Sequence, residues 1–270
     1  VRYWAASGRP GTDTAFDIGQ MKIGRRLAIK VLNASKFVLS MGVVDDVSTI
    51  TRPLDLSMLA MLRDIVDRAT QAFENYNYAR ALELAESFFW TFTDDYVELV
   101  KERAYGGQGE QAAASAKAAL SLALSVQLRL FAPFLPFTTE EVWSWVNDSS
   151  IHRASWPQVE EFSALPDGDP GVLEATGQAL SGVRKVKSEQ KVSMRARVSS
   201  ATISGPGADI GRIRQAMEDL AAAGSIGVII PPSIPMVLYG VSTGTSISNM
   251  FLGGVLPGLL IGMVLILYAY

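Results

Sequence analysis

The distribution of charge along the chain is the feature that most constrains its fold. The sequence has 270 residues with 24 basic and 27 acidic side chains, and none of these lies after Asp219. A domain folded in water needs polar cover along its whole length. The chain therefore divides into two unlike parts, a charged part up to about residue 222 that suits water and an apolar part from about residue 223.

The composition excludes several function classes. The chain has no cysteine and a single histidine, His152, so disulfides, thiolate zinc sites, a cysteine nucleophile and paired-histidine metal sites are ruled out. His152 has no Ser or Asp at a catalytic spacing, which favours a structural role. We expect no metal site and no catalytic residue. A net charge of −3 excludes a uniformly basic surface but allows a local basic face.

The charged part predicts a helix bundle over residues 21–157, preceded by a short segment over 1–20. Apolar residues recur at helical spacing from Met21 to about Met41. Asp55 is predicted to cap a helix that runs to about Phe73. Further helices are predicted over 78–102, 111–131 and 138–143. The helix over 111–131 is almost entirely Ala, Leu and Ser, so we expect it to be central.

A small α/β extension is predicted over residues 158–222. Helical patterns cover 171–187 and 209–223. Between them, Val192, Met194, Ala196 and Val198 alternate with polar residues, which is typical of a strand.

The apolar part, residues 223–270, predicts a membrane segment. Asn249 to Tyr270 is an uncharged run, and about 20 apolar residues cross about 30 Å of hydrocarbon. Before it, Pro231-Pro232, Pro235 and a run of small hydroxyl residues interrupt an apolar stretch, as in a broken hairpin that faces a cavity. The alternative is a buried hairpin of a soluble core.

One helix face carries a pattern that suits single-stranded nucleic acid. Arg26, Lys30, Asn33 and Phe37 follow one another at steps of four, three and four residues. The cations would contact phosphates, the amide a base edge and the ring an unpaired base. The alternative is a solvated helix face beside a core phenylalanine.

Several sequence motifs extend the nucleic-acid interpretation to a known family. Val1-Arg-Tyr-Trp-Ala-Ala-Ser and Asn33-Ala-Ser-Lys36-Phe37-Val-Leu resemble the segment that follows the catalytic domain of class I aminoacyl-tRNA synthetases. Phe134-Leu-Pro136-Phe137-Thr-Thr-Glu140-Glu141-Val-Trp143, with Ser150-Ile-His-Arg-Ala-Ser-Trp156-Pro157, resembles the anticodon-binding domain of the valyl-tRNA synthetase family. The resemblance covers about residues 1–222.

This resemblance implies a cytoplasmic anticodon-binding module whose partner is tRNA and whose residues 1–20 contact the tRNA stem. The tRNA-binding residues that it implies are Arg25, Arg26, Lys30, Asn33, Lys36 and Phe37. The family's two ATP-site signatures are absent from this chain. We therefore expect no bound cofactor and no ligase activity from this chain alone, since the full-length family uses ATP and Mg²⁺ in a domain upstream. The chain begins at Val1, so we expect it to be an internal piece of a longer protein.

The apolar part resembles a different family. Gly227-Val-Ile-Ile-Pro231-Pro232-Ser233-Ile-Pro235 and Leu252-Gly-Gly-Val-Leu-Pro257-Gly258 look like the large membrane subunit of TRAP transporters, which carry C4-dicarboxylates with sodium. The resemblance implies a broken hairpin and a transmembrane helix inserted in a membrane. It makes Ser233, Thr245 and Ser246 candidate lining residues, with capping or packing roles as the alternative. The alternative function of the chain is thus a transporter component, and we expect the seam near residues 221–225.

Overall fold

The computed structural model describes residues 1–9, 11–194 and 196–224, and most of these residues are helical. The predicted mainly α class is therefore confirmed. The α-helices of the described residues are α1 (Arg2–Ser7), α2 (Ile18–Ser40), α3 (Pro53–Glu74), α4 (Tyr78–Thr91), α5 (Val97–Ala104), α6 (Glu110–Phe131), α7 (Pro136–Trp143), α8 (Gly171–Glu189), α9 (Gly207–Gln215) and α10 (Met217–Ala223). Short 3-10 turns cover Val47–Thr49, Ile151–Arg153 and Val159–Phe162.

Helix α6 lies at the centre of the bundle, as its composition predicts. Fourteen of its 22 residues are buried, and it packs against α2, α3, α4, α5 and α7. Many of these buried residues are alanines, whose small side chains allow neighbouring helices to approach closely. The low charge of this stretch follows from its position, since an unpaired charge is costly in an apolar core.

The predicted helix over 78–102 is interrupted by a π-helical turn at Phe92–Tyr96, which separates α4 from α5. Such single π turns within helices are uncommon and often lie at functional sites. Phe92 and Tyr96 are both fully buried, and their rings stack with centroids 5.8 Å apart. Between these two core residues, the turn leaves Asp94 exposed.

A buried ion-pair network holds four helices together around Arg103 of α5. The guanidinium of Arg103 donates to both carboxylate oxygens of Asp55 at 2.8 and 2.7 Å, and its Nε donates to Asp219 at 2.8 Å. Asp55 also accepts hydrogen bonds from the Tyr96 hydroxyl at 2.8 Å and from the Ser115 hydroxyl at 2.6 Å. Because every charge has a partner of opposite sign, the network avoids the large cost of an isolated buried ion.

The prediction that Asp55 caps α3 is wrong. Arg52 occupies the cap position, Pro53 is the first helical residue, and the side chain of Asp55 is fully buried against Arg103. The sequence signal for a cap, an acidic residue two positions after a proline, is the same for both roles. Burial raises the pKa of Asp219, the second carboxylate of the network, while the charge and hydrogen bond of Arg103 oppose that rise.

The predicted strand of the α/β extension is also wrong for the described residues. Between α8 and α9 these residues form turns and extended chain, and only Val198 has an isolated bridge pairing. Val192 and Met194 are both exposed. A strand needs a neighbour that completes its hydrogen-bond ladder, and no described residue of this extension forms such a neighbouring strand. The alternation of apolar residues is therefore not enough to form a strand here.

The predicted helix over 209–223 is divided at Ala216, whose φ of −122° lies outside the helical range, into α9 and α10. Helix α10 packs against α5 and α8. Leu220 is fully buried, and Asp219 completes the network around Arg103. The last helix described is therefore an integral part of the bundle.

The predicted broken hairpin and transmembrane helix lie in residues 225–270, outside the described residues. Within the part of the chain that the structure describes, no helix is both long enough and apolar enough to span a membrane.

Substitution of Arg103 tests the importance of the buried network. We expect Arg103→Met to lower the free energy of unfolding by about 3–5 kcal/mol, because it leaves Asp55 and Asp219 buried without a cation. The matched control is Arg80→Met, which removes an exposed ion pair to Glu83 and should cost about 0–1 kcal/mol. Denaturant unfolding measures both values. Equal losses for the two variants would show that the network is not important for stability.

Candidate nucleic-acid interface

Helix α2 presents the basic face predicted from the sequence. The carboxylate of Asp17 caps the helix by accepting hydrogen bonds from the backbone N–H groups of Gly19 and Gln20. Five residues of one face are buried against the bundle: Gly24, Leu27, Val31, Ser35 and Val38. Because these residues fix the rotation of the helix, its remaining positions point away from the core.

Four of the six predicted tRNA-binding residues are exposed on this outer face, namely Arg25, Arg26, Asn33 and Lys36. Among the described residues, none of the four side chains has a hydrogen-bond or ion-pair partner. Lys22 is a further exposed cation of α2 that the sequence analysis missed. The signal that identifies it is the complete absence of Asp and Glu from α2, whose five cations are therefore unopposed within the helix.

Lys30 differs from the other cations because it already has a partner. Its Nζ lies 3.0 Å from a carboxylate oxygen of Asp94, in the π-helical turn, and 5.9 Å from the centroid of the Trp90 ring. The two charged side chains are 39% and 53% exposed. An ion pair this exposed contributes at most about 1 kcal/mol. A phosphate can therefore replace Asp94 at little cost, but Lys30 is a weaker phosphate ligand than its unpaired neighbours.

Phe37 belongs to a small aromatic and cationic cluster at the other end of the helix. Its ring meets Tyr105 edge to face with centroids 6.2 Å apart, and the Lys101 Nζ lies 5.8 Å from its centroid. The side chain of Tyr105 is 66% exposed, whereas that of Phe37 is half-buried. Tyr105 is therefore the more accessible ring. It lies beside a glycine-rich loop far from α2 in the chain, so the residue pattern of α2 does not identify it.

Helix α1 packs beside the start of α2. Tyr3 is buried against Gly24, where any Cβ atom would overlap its side chain, and its hydroxyl donates to Glu86 at 2.6 Å. Burial, followed by the hydrogen bond to Glu86, raises the pKa of Tyr3 above its usual range. Phe16 is largely exposed and contacts Trp4 with ring centroids 5.8 Å apart.

The remaining candidate residues do not form a site in the described structure. His152 has a ring nitrogen 3.2 Å from the Pro136 carbonyl oxygen, a contact within the α7 region. Among the described residues, no group of three or more His, Asp or Glu side chains is placed to hold a metal ion. The transport-like residues Ser233, Thr245 and Ser246 lie outside the described residues.

Comparison with known families identifies the helix bundle that carries α2. The family model described as the anticodon-binding domain of tRNA ligase matches residues 55–202, more than half of the chain. The chain therefore belongs to the family of anticodon-binding domains of tRNA ligases. Helix α2 lies before the matched residues.

Individual relatives narrow the similarity to one ligase. The chain is 58% identical over 234 residues to valine–tRNA ligase of Thermobifida fusca, covering 85% of this chain and 26% of that protein. It is 54% identical over 222 residues to valine–tRNA ligase of Cutibacterium acnes, covering 82% and 25%. The similarity to valine–tRNA ligase of Salinispora arenicola is 52% over 246 residues, covering 84% and 28%. The chain thus spans about a quarter of the length of these relatives.

A second family model matches the end of the chain. The tripartite ATP-independent periplasmic transporter DctM component matches residues 214–270. Its first residues overlap the described bundle, because Asp219 and Leu220 of α10 are buried there. The expected seam near residues 221–225 lies within the stretch that this model matches, and it stays a prediction.

The close contact between α1 and α2 is tested by adding one methyl group. We expect Gly24→Ala to destabilise the protein by about 1–3 kcal/mol, because the new Cβ overlaps Tyr3. Gly182→Ala is the matched control in α8, where a Cβ meets no atom within 4 Å. It should stabilise by up to about 1 kcal/mol through helix propensity. Thermal unfolding compares the two, and a neutral Gly24→Ala would contradict the described packing of α1.

Proposed function

We propose that this chain is the tRNA-binding portion of a valine–tRNA ligase, and that it contacts tRNA for valine through α2. The single observation that carries the proposal is the outer face of α2, on which Lys22, Arg25, Arg26 and Lys36 are exposed and no carboxylate is present. Unpaired cations on one face are what binding to a phosphate backbone requires. The named relatives, all valine–tRNA ligases, supply the proposed identity of the tRNA.

In this proposal, the six residues predicted for tRNA contact bind different parts of the nucleotide according to their side-chain chemistry. Arg25, Arg26, Lys30 and Lys36 contact phosphates, and Lys30 does so by exchanging Asp94 for a phosphate. Asn33 hydrogen-bonds a base edge. Phe37 stacks on an unpaired base, with Tyr105 as a neighbouring platform, because aromatic rings bind bases of any sequence by their π faces. Residues 1–20 contact the stem, residues 21–157 form the anticodon-binding bundle, and residues 158–222 extend it in the cytoplasm.

Aminoacylation is proposed for the longer protein rather than for this chain. The present sequence lacks both ATP-site signatures. In this proposal, ATP and Mg²⁺ therefore bind a catalytic domain outside the present sequence. The contribution of this chain to the reaction is to hold the tRNA in position. Such positioning lowers the activation barrier of a reaction elsewhere on the bound substrate.

A second candidate function is that of a membrane component of a transporter. It is supported by the match of residues 214–270 to the DctM component. Residues 223–270 would then form the broken hairpin and transmembrane helix, with Ser233, Thr245 and Ser246 lining the hairpin. Vesicles that contain the chain test this by sodium-driven succinate uptake. We expect no uptake, because part of a hairpin and one helix do not enclose a pathway; measurable uptake would favour this second function.

Charge reversal at Arg26 tests the tRNA-binding proposal. We expect Arg26→Glu to weaken binding of a valine tRNA about tenfold and to reduce the slope of log Kd against log salt by about 1, as loss of one phosphate contact predicts. Arg63→Glu is the control, since Arg63 lies on α3 and lines the groove beside Val159 and Glu160. If Arg26→Glu binds as tightly as the control at low salt, α2 is not the tRNA-binding element.

Removal of the carboxylate that pairs with Lys30 should change tRNA affinity in the opposite direction to Arg26→Glu. We expect Asp94→Asn to tighten tRNA binding by about two- to fivefold at low salt, because it frees Lys30 from its ion pair and removes a like charge near the phosphates. Asp64→Asn is the matched control, since Asp64 pairs with Arg68 on α3. Filter binding or fluorescence anisotropy measures both. Unchanged or weaker binding by Asp94→Asn would argue against phosphate contact at Lys30.

A further inference from the structure

Two basic segments that lie far apart in the sequence meet at one residue of the π-helical turn. Lys30 of α2 forms its ion pair with the carboxylate of Asp94, and Arg184 of α8 donates a hydrogen bond to the backbone carbonyl oxygen of Asp94 at 2.8 Å. Arg184 is also 3.8 Å from a carboxylate oxygen of Glu98. Lys30 of α2 and Arg184, five residues before the end of α8 at Glu189, therefore both contact Asp94.

We propose that the end of α8 and the segment after it form a second RNA-backbone contact that extends the α2 face. Its contact residues are Lys185, Lys191 and Arg197. This inference rests on the proposed function, and it adds a surface that neither the α2 pattern nor the candidate residues derived from the sequence include.

The three cations of this second surface are available to a ligand. Lys185 is 77% exposed, and its nearest carboxylate, that of Glu189, is 4.0 Å away at the limit of an ion pair. Lys191 and Arg197 are exposed. Neither of these two has an ion-pair partner among the described residues. Glu189 is the acidic group of the surface itself, and Asp94 and Glu98, beside it, are engaged by the partly exposed pairs with Lys30 and Arg184.

The backbone at Lys191 gives an independent reason to assign a role to its side chain. Lys191 has φ of +52°, and it follows α8 at the position where glycine usually ends a helix. The backbone N–H of Val192 donates to the Lys187 carbonyl at 3.0 Å, which completes this helix end. A non-glycine residue pays conformational free energy here. Because the Lys191 ammonium has no partner among the described residues that would offset this cost, an external anion accounts for a lysine at this site.

The second surface is held in place by a buried lysine. Lys187 is almost fully buried, and its Nζ donates to the carbonyl oxygens of Met194 at 3.0 Å and Gly224 at 2.8 Å. These bonds fix the segment after α8 against the end of α10, so that Lys191 lies on an anchored turn. Anchored cations lose less conformational entropy when they bind an anion than cations on free loops do.

The contact of both segments with Asp94 is the observation that favours RNA as the ligand. Basic clusters next to a membrane segment also bind anionic lipid headgroups, and the described bundle ends at Gly224. A lipid surface would require only the cations near Gly224, whereas a nucleic-acid backbone would use both segments that meet at Asp94. The test therefore includes both ligands.

The experiment uses the full chain and two variants of the second surface. Lys185→Glu combined with Lys191→Glu should weaken binding of a valine tRNA at least tenfold and reduce the slope of log Kd against log salt by about 2. The matched control is Arg63→Glu combined with Arg80→Glu, two exposed cations of α3 and α4. Binding of vesicles that contain phosphatidylserine is measured for the same proteins.

Lys191→Gly separates a binding role from a structural role. Glycine relieves the backbone conformation at this helix end, so we expect a higher Tm together with about two- to fivefold weaker tRNA binding. Wild-type tRNA affinity in both Lys191→Gly and the double variant would overturn the inference. So would loss of vesicle binding without loss of tRNA binding. If Arg26→Glu still weakens binding in that case, the proposed function stands; if it does not, the proposed function fails as well.

Discussion

The buried guanidinium of Arg103 is the constraint on which the rest of the bundle depends. It joins Asp55 of α3 to Asp219 of α10, and Tyr96 and Ser115 complete the hydrogen bonds of Asp55. An ion in an apolar interior is tolerated only when all its partners are in place. The helices that supply these partners therefore have one favourable arrangement, and a shift of any of them removes an ion pair or a hydrogen bond from a buried charge.

This arrangement also determines the outer surface. Tyr96 ends the π-helical turn with its hydroxyl bound to Asp55, and Asp94, two residues earlier, lies outside near α2 and α8. The position of Asp94 relative to Lys30 and Arg184 thus follows from a hydrogen bond made in the core. Core and interface are connected through a few residues of one helical turn, which explains why two distant basic segments share a face.

The elements with strong periodicity were predictable from the sequence, and those that depend on distant partners were not. The pattern of α2 identified its buried face and two exposed tRNA-binding candidates, Arg26 and Asn33, the family resemblance added Arg25 and Lys36, and the composition of α6 identified its central position. Asp55 was mistaken for a cap because its partner Arg103 is far away in the chain. The alternation at Val192 and Met194 suggested a strand, but a strand also needs a neighbour. Lys22, Tyr105 and Lys191 gave only weak local signals, since their importance depends on what surrounds them in three dimensions.

The position of Asp219 has a consequence for synthesis of the chain. A ribosome releases residues in order from the N-terminus, and domains generally fold as units while this happens. Asp55, Tyr96, Arg103 and Ser115 all emerge well before Asp219, the last charged residue of the sequence. A nascent chain that still lacks Asp219 holds only part of the network, so the bundle reaches its complete state late in translation. The uncharged residues after Gly224 follow immediately, so they leave the ribosome directly after the residues that complete the bundle.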